Sequence, residues 1–179
     1  MNNLTDIAIN AGATAVGHAK VADMKFDREF RDACAQNVCG KYGNCWMCPP
    51  DVGDIDEMIQ IAQGFENIFV FQTIGELEDS YDFEGMQDAA VRHNQITFAV
   101  AEKVRSHYGS RALIMGAGAC HVCARCTKMD DIPCANPEMA LPSLEVYGVA
   151  VSELAAVSGL KYINGENTVT YFSGILYND

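Results

Sequence analysis

The chain has 179 residues, is 49% hydrophobic and carries a formal net charge of −12 at neutral pH. That length and apolar content suffice for one well-buried domain over residues 1–179, and no apolar run approaches the roughly eighteen residues of a membrane span. The acidic balance argues against nucleic acid and membrane surfaces as partners, and it favours a partner protein with a basic docking patch.

Leu4, Ile7, Ala8 and Ala11 stand at helical spacing before Gly12, which predicts a short helix over residues 3–11. The N-terminus shows no basic region followed by an apolar segment, so a cytoplasmic protein with reduced thiols is expected. Residues 13–21 read as a strand, with His18 as a structural histidine. Cys34, Cys39, Cys45 and Cys48 follow within fifteen residues, among glycines at 40 and 43 and prolines at 49 and 50. Such a stretch lacks the makings of a regular element, so the cysteines are placed on a loop. A metal would hold that loop in shape. The other reading is a packed loop in which Tyr42 and Trp46 shield a centre bound elsewhere.

Asp54, with Glu57 three residues on, is a variant capping box, and Ile55, Met58, Ile59 and Ala62 then form one helical face before Gly64. The apolar run within residues 67–73 predicts a central strand. An acidic connection over 76–83 leads to a long helix over 84–108. Ala89, Ile96, Val100 and Val104 form its inward stripe, and His93 and His107 are assigned to solvent. Residues 111–115 are a second buried strand that runs into Gly116 and Gly118, which suit a turn or a close backbone approach.

That strand delivers Cys120, Cys123 and Cys126 at two-residue intervals, closed by Cys134 after Pro133. Four thiolates so spaced suit one centre, and the triple C-x2-C run is the ferredoxin pattern for a 4Fe-4S cluster; zinc and free cysteines are the alternatives. His121, between two of these positions, is either a solvent-facing loop residue or a group that couples a proton to the cluster.

Pro142 and Ser143 open a predicted helix with Leu144, Tyr147, Val151, Leu154 and Ala155 toward the core, ending at Gly159. Gly148 inside it costs about 1 kcal/mol relative to alanine, which points to a close approach by a neighbour. Asn164-Gly165 signals a hairpin turn between two strands, the last on or near a sheet edge. The expected architecture is therefore α/β: a single domain with a central mixed sheet flanked by helices and Cys-rich metal-binding loops. Serine-hydrolase, zinc-protease and P-loop motifs are absent, Gly116-x-Gly118 lacks the third glycine of a dinucleotide fingerprint, and no catalytic residue is assigned.

Two signatures stand in order: Cys39-x2-Tyr42-Gly43-x2-Trp46-x-Cys48-Pro49-Pro50, and Cys120-x2-Cys123-x2-Cys126-x6-Pro133-Cys134-x2-Pro137-Glu138 followed by Ser143-x-Glu145-x2-Gly148-x2-Val151. From about residue 30 onward the chain resembles the DUF2284 family of predicted metal-binding proteins. The resemblance implies metal or iron-sulfur binding and leaves the reaction open. In the family pattern a cysteine at the position of Cys45 is not required. With Cys45 as a ligand, the N-terminal group would be closed and suited to moving electrons. Without it, Cys34, Cys39 and Cys48 would leave an iron position free for chemistry.

Three functions follow: a redox protein with one or two 4Fe-4S clusters that serves a partner protein, a cluster-dependent enzyme, and a zinc-binding scaffold.

Overall fold

A computed structural model describes residues 4–178. The fold is built around a ten-residue strand, β2 (Asn67–Glu76). Its apolar run leaves Ile68, Phe69, Val70 and Phe71 with no solvent exposure. Each such side chain contributes about 1.5–3 kcal/mol on burial, and alternation sends them to opposite faces. Phe69 and Phe71 pack with α1 (Leu4–Ala11) and α4 (Phe83–Tyr108), while Ile68 and Val70 pack with α3 (Ile55–Gln63) and α5 (Val151–Val157). The first predicted helix is α1, and the Asn3 end of that prediction lies outside the described residues.

With β1 (Ala15–Lys20), β3 (Ala112–Met115) and β4 (Thr168–Tyr177), β2 makes a four-stranded sheet in the order β1-β2-β4-β3. The expected α/β domain is present, but every strand pair is antiparallel, so the sheet is not mixed. β2 and β3, joined by α4, do run in the same direction. The C-terminal strand fills the gap between them, with Phe69 opposite Ile175 and Ile114 opposite that same residue. β4 is therefore internal, next to the edge strand β3, so the last strand lies near the edge and not on it.

The hairpin before β4 does not form either. Asn164 and Gly165 lie in a turn held by side chains: Asn164 Nδ2 donates to Lys161 O and to Thr170 Oγ1, both at 3.0 Å, and Thr168 Oγ1 donates to Gly165 O at 2.9 Å.

Of three further local expectations, one holds, one is refined and one, the solvent position of His93, is overturned. Asp54 caps α3 as read, its carboxylate accepting from Asp56 N–H at 2.8 Å. The helix predicted from Ser143 is interrupted: Glu145–Tyr147 form a 3-10 turn, Gly148 takes φ 72°, and the α-helix starts only at Val151. The close approach expected at Gly148 is Ile59 of α3, whose Cγ1 lies 2.8 Å from where a Cβ would stand. His93 is the third. It is fully buried on α4, where Nδ1 meets Thr73 Oγ1 at 2.9 Å and Nε2 meets Ser173 Oγ at 2.8 Å. A buried imidazole with both nitrogens partnered is satisfied without water, which is why it is tolerated there. His107 is exposed as expected, and His18 packs edge-on against Phe69.

Candidate metal centre

Both cysteine groups lie on long segments that close against each other, and the C-terminal one also touches α4, where Arg105 donates to Met139 Sδ at 3.9 Å. The C-terminal segment leaves the edge strand β3 at Gly116 and returns at Ser143, which bridges Gly116 in parallel. Gly116 N–H donates to Pro142 O at 2.9 Å, and Leu144 N–H donates to Gly116 O at 3.2 Å. The Leu144 side chain then rests on Gly174 of β4, where a Cβ would lie 3.1 Å from its Cδ2. The stem of the loop is thus fixed to the sheet. Beyond the stem, Gly118 supplies the turn with φ 66°.

Within the loop, the Thr127–Asp130 3-10 turn keeps Cys126 close to the chain that follows: Met129 N–H donates to Cys126 O at 3.2 Å and Thr127 Oγ1 to Pro133 O at 3.0 Å. An Arg125–Asp130 ion pair braces the outside, with Nη2 2.9 Å from Oδ1. Asn136 Nδ2 donates to Cys123 Sγ at 3.2 Å.

The N-terminal group is less irregular than the sequence suggests. Cys34 lies on the last turn of a short helix, α2 (Glu29–Ala35), not on a loop. None of the helix's residues is buried, so it leaves no apolar stripe to read. Cys39, Cys45 and Cys48 do lie on the loop. Asn37, at φ 52°, turns the chain out of α2, and its Oδ1 accepts from Tyr42 N–H at 3.0 Å. Gly43 N–H donates to Pro49 O at 2.9 Å, and Cys48 N–H to Cys45 O at 3.0 Å.

Three contacts clamp the two segments together. Lys128 Nζ is 2.8 Å from Asp51 Oδ1, and both side chains are largely covered. The same ammonium stands 4.5 Å from the centroid of the Trp46 ring, and Trp46 Nε1 donates to Ile132 O at 2.9 Å. None of these partners carries a local sequence signal; they are brought together by the closing of the loops.

Between the clamped segments lies a half-open cavity lined by Cys120, Cys123, Cys126 and Cys134, with Trp46 and Cys45 from the opposite segment. No disulfide joins any of the eight cysteines. Cys45 is held down to a pKa of about 6 because the Cys48 thiol donates to it, and the same bond, with burial, pushes Cys48 up. Burial also raises Cys34 and Cys120. His121 is exposed. As the side chains stand, no three His, Cys, Asp or Glu groups among the described residues form a ready-made metal-ion arrangement. The donor set is nevertheless all sulfur, at partly covered positions, with an amide N–H already aimed at one of them. That chemistry suits a soft metal or an iron-sulfur cluster.

Fold and site together define an α/β protein with a cysteine-walled cavity beside an antiparallel sheet. The chain belongs to the family described as predicted metal-binding protein (DUF2284), whose model matches residues 18–177. No curated protein and no solved structure matches it. Among the described residues no helix is long and apolar enough to cross a membrane.

Proposed function

We propose that this metal-binding protein is an oxygen-sensitive iron-sulfur protein that holds a 4Fe-4S cluster on Cys120, Cys123, Cys126 and Cys134 and exchanges electrons with a partner protein. A second metal centre draws on the N-terminal cysteines. The supporting observation is the shared cavity wall: four thiols spaced as in a ferredoxin run line one half-open cavity. When bound, the cluster supplies a one-electron carrier.

The chain's own residues have separable tasks. The Gly116–Ser143 stem fixes the loop to the sheet. Trp46 and Ala140 give the cavity apolar wall beside the thiols. Asn136 donates to Cys123 Sγ and so favours the more negative, reduced state. A cluster on four thiolates adds about two negative charges to a chain already at −12, so the complementary partner surface is basic.

Protein purified without oxygen is expected to contain iron and acid-labile sulfide in equal amounts and to absorb broadly near about 400 nm. Zinc in place of both would make the chain a zinc-binding scaffold and end the redox reading.

A further inference from the structure

Cys45 goes with Cys34, Cys39 and Cys48 in sequence and its thiol accepts from that of Cys48, but it also reaches a wall that the other three do not. Its side chain, 2% exposed, lines the cavity of Cys120, Cys123, Cys126 and Cys134. Cys48, one turn further on, is not part of that wall and lies within electrostatic reach of Cys34 and Cys39. The short turn closed by Cys48 N–H and Cys45 O therefore marks the border between two groups of thiols.

We propose that the eight thiols divide into three and five: Cys34, Cys39 and Cys48 hold one cluster, Cys45 serves the centre beyond β3, and the fourth position of the three-thiol cluster takes a small molecule with a thiolate, carboxylate or nitrogen donor. This rests on the iron-sulfur reading above. A cubane cluster has four irons that each need an outer ligand, so three cysteines leave one iron to bind a Lewis base.

Access supports the assignment. Cys39 is exposed, its neighbour Val38 is 90% exposed, and a Cβ added at Gly40 or Gly43 would meet nothing within 4 Å. The opposite side is anchored, because Arg31 donates to Gly53 O at 2.7 Å and to Val146 O at 3.4 Å and ties α2 to the chain behind it. A small molecule thus approaches from the Cys39 side, whereas Cys45 is 2% exposed in the wall that it shares with Trp46.

The test isolates the three-thiol centre. A Cys120→Ser/Cys123→Ser/Cys126→Ser/Cys134→Ser variant, loaded with iron and sulfide without oxygen, is compared with the same variant carrying Cys45→Ser as well. Equal iron and sulfide per chain, an unchanged electron paramagnetic resonance signal on reduction, and a hyperfine splitting from isotope-labelled cyanide in both are expected. Loss of the cluster on adding Cys45→Ser would make Cys45 its fourth ligand and overturn the proposal, as would a signal that ignores cyanide. Should the multiple variants fail to fold, Cys45→Ser alone decides: a cyanide-responsive signal must survive in it, and loss of that signal overturns the division. Wild-type protein devoid of iron would instead be the failure of the parent reading.

Discussion

Lys128 crosses from the C-terminal cysteine loop to Asp51 of the N-terminal one, Nζ to Oδ1 at 2.8 Å, and Asp131 takes a second position on the same ammonium at 3.1 Å. Each carboxylate raises the lysine pKa through a hydrogen bond, Asp51 more than Asp131. The ion pair joins segments far apart in sequence, so its effect is on how the loops meet rather than on the sheet.

Replacing Asp51 by asparagine is therefore expected to leave the melting temperature of the metal-free fold almost unchanged while loosening the cavity. Residues 120–136 should exchange amide hydrogens faster, and a chelator should remove metal several-fold faster than from wild type. Added salt should reproduce part of the effect in wild type, since the pair is partly exposed. Unchanged exchange in both loops would show that the clamp does not depend on this pair.

Trp46 is the chain's one tryptophan, and it lies in the cavity wall. A cluster bound there absorbs across the indole emission, so loading iron and sulfide should quench tryptophan fluorescence strongly, whereas zinc should leave it bright. Trp46→Phe removes the N–H donated to Ile132 O and is expected to cost about 1 kcal/mol in denaturant unfolding. Full emission in an iron-loaded chain would place the cluster away from this wall.

His93 gives the fold an acid-labile point. Burial between α4 and the sheet lowers its pKa from 6.5 to about 4, so the folded protein holds it neutral where the unfolded chain would protonate it. The unfolded state then binds more protons between these values. Stability is fully present above about pH 6.5 and declines as the pH falls toward 4, by on the order of 3 kcal/mol in all. Urea titrations of metal-free protein across that range should show the decline. His93→Gln, which can still bond Thr73 and Ser173, should be less stable at pH 7 and flatter toward acid. An acid limb that persists unchanged in the variant would assign it to other groups.

These features differ in how far the sequence exposes them. β2 is legible because its apolar run is continuous, and α3 because Asp54 caps a clean stripe. His93 was legible in principle: it stands three and seven residues before Ile96 and Val100, on the inward stripe of α4. Its residue type suggested solvent, and its partners Thr73 and Ser173 are long-range. The place of β4 inside the sheet, and of Cys45 beside Cys126, follows from tertiary closure, which spacing does not encode. Cys45 groups with Cys48 along the chain because only two residues separate them. In the folded protein it shares a wall with cysteines more than seventy residues away.

Gly148 joins both kinds of information. In sequence it is an awkward glycine in a helical stretch. In the fold it is the left-handed residue that ends a 3-10 turn, and it lets Asp27 N–H reach its carbonyl at 2.7 Å while Phe26 bridges Val149. Those bonds hold the segment before α2, and with it the Cys34 end of the N-terminal group, against the core. Gly148→Ala must place a Cβ at positive φ and 2.8 Å from Ile59 Cγ1, so it is expected to destabilise the chain by roughly 2 kcal/mol or more. If the strain is relieved by letting residues 25–35 go, Cys34 should become more reactive toward an alkylating probe before global unfolding, while Cys120 should not. Alkylation rates read residue by residue by mass spectrometry distinguish the cases: parallel increases at Cys34 and Cys120 would mean general loosening, and an increase at Cys34 alone would show that Gly148 positions the N-terminal thiols specifically.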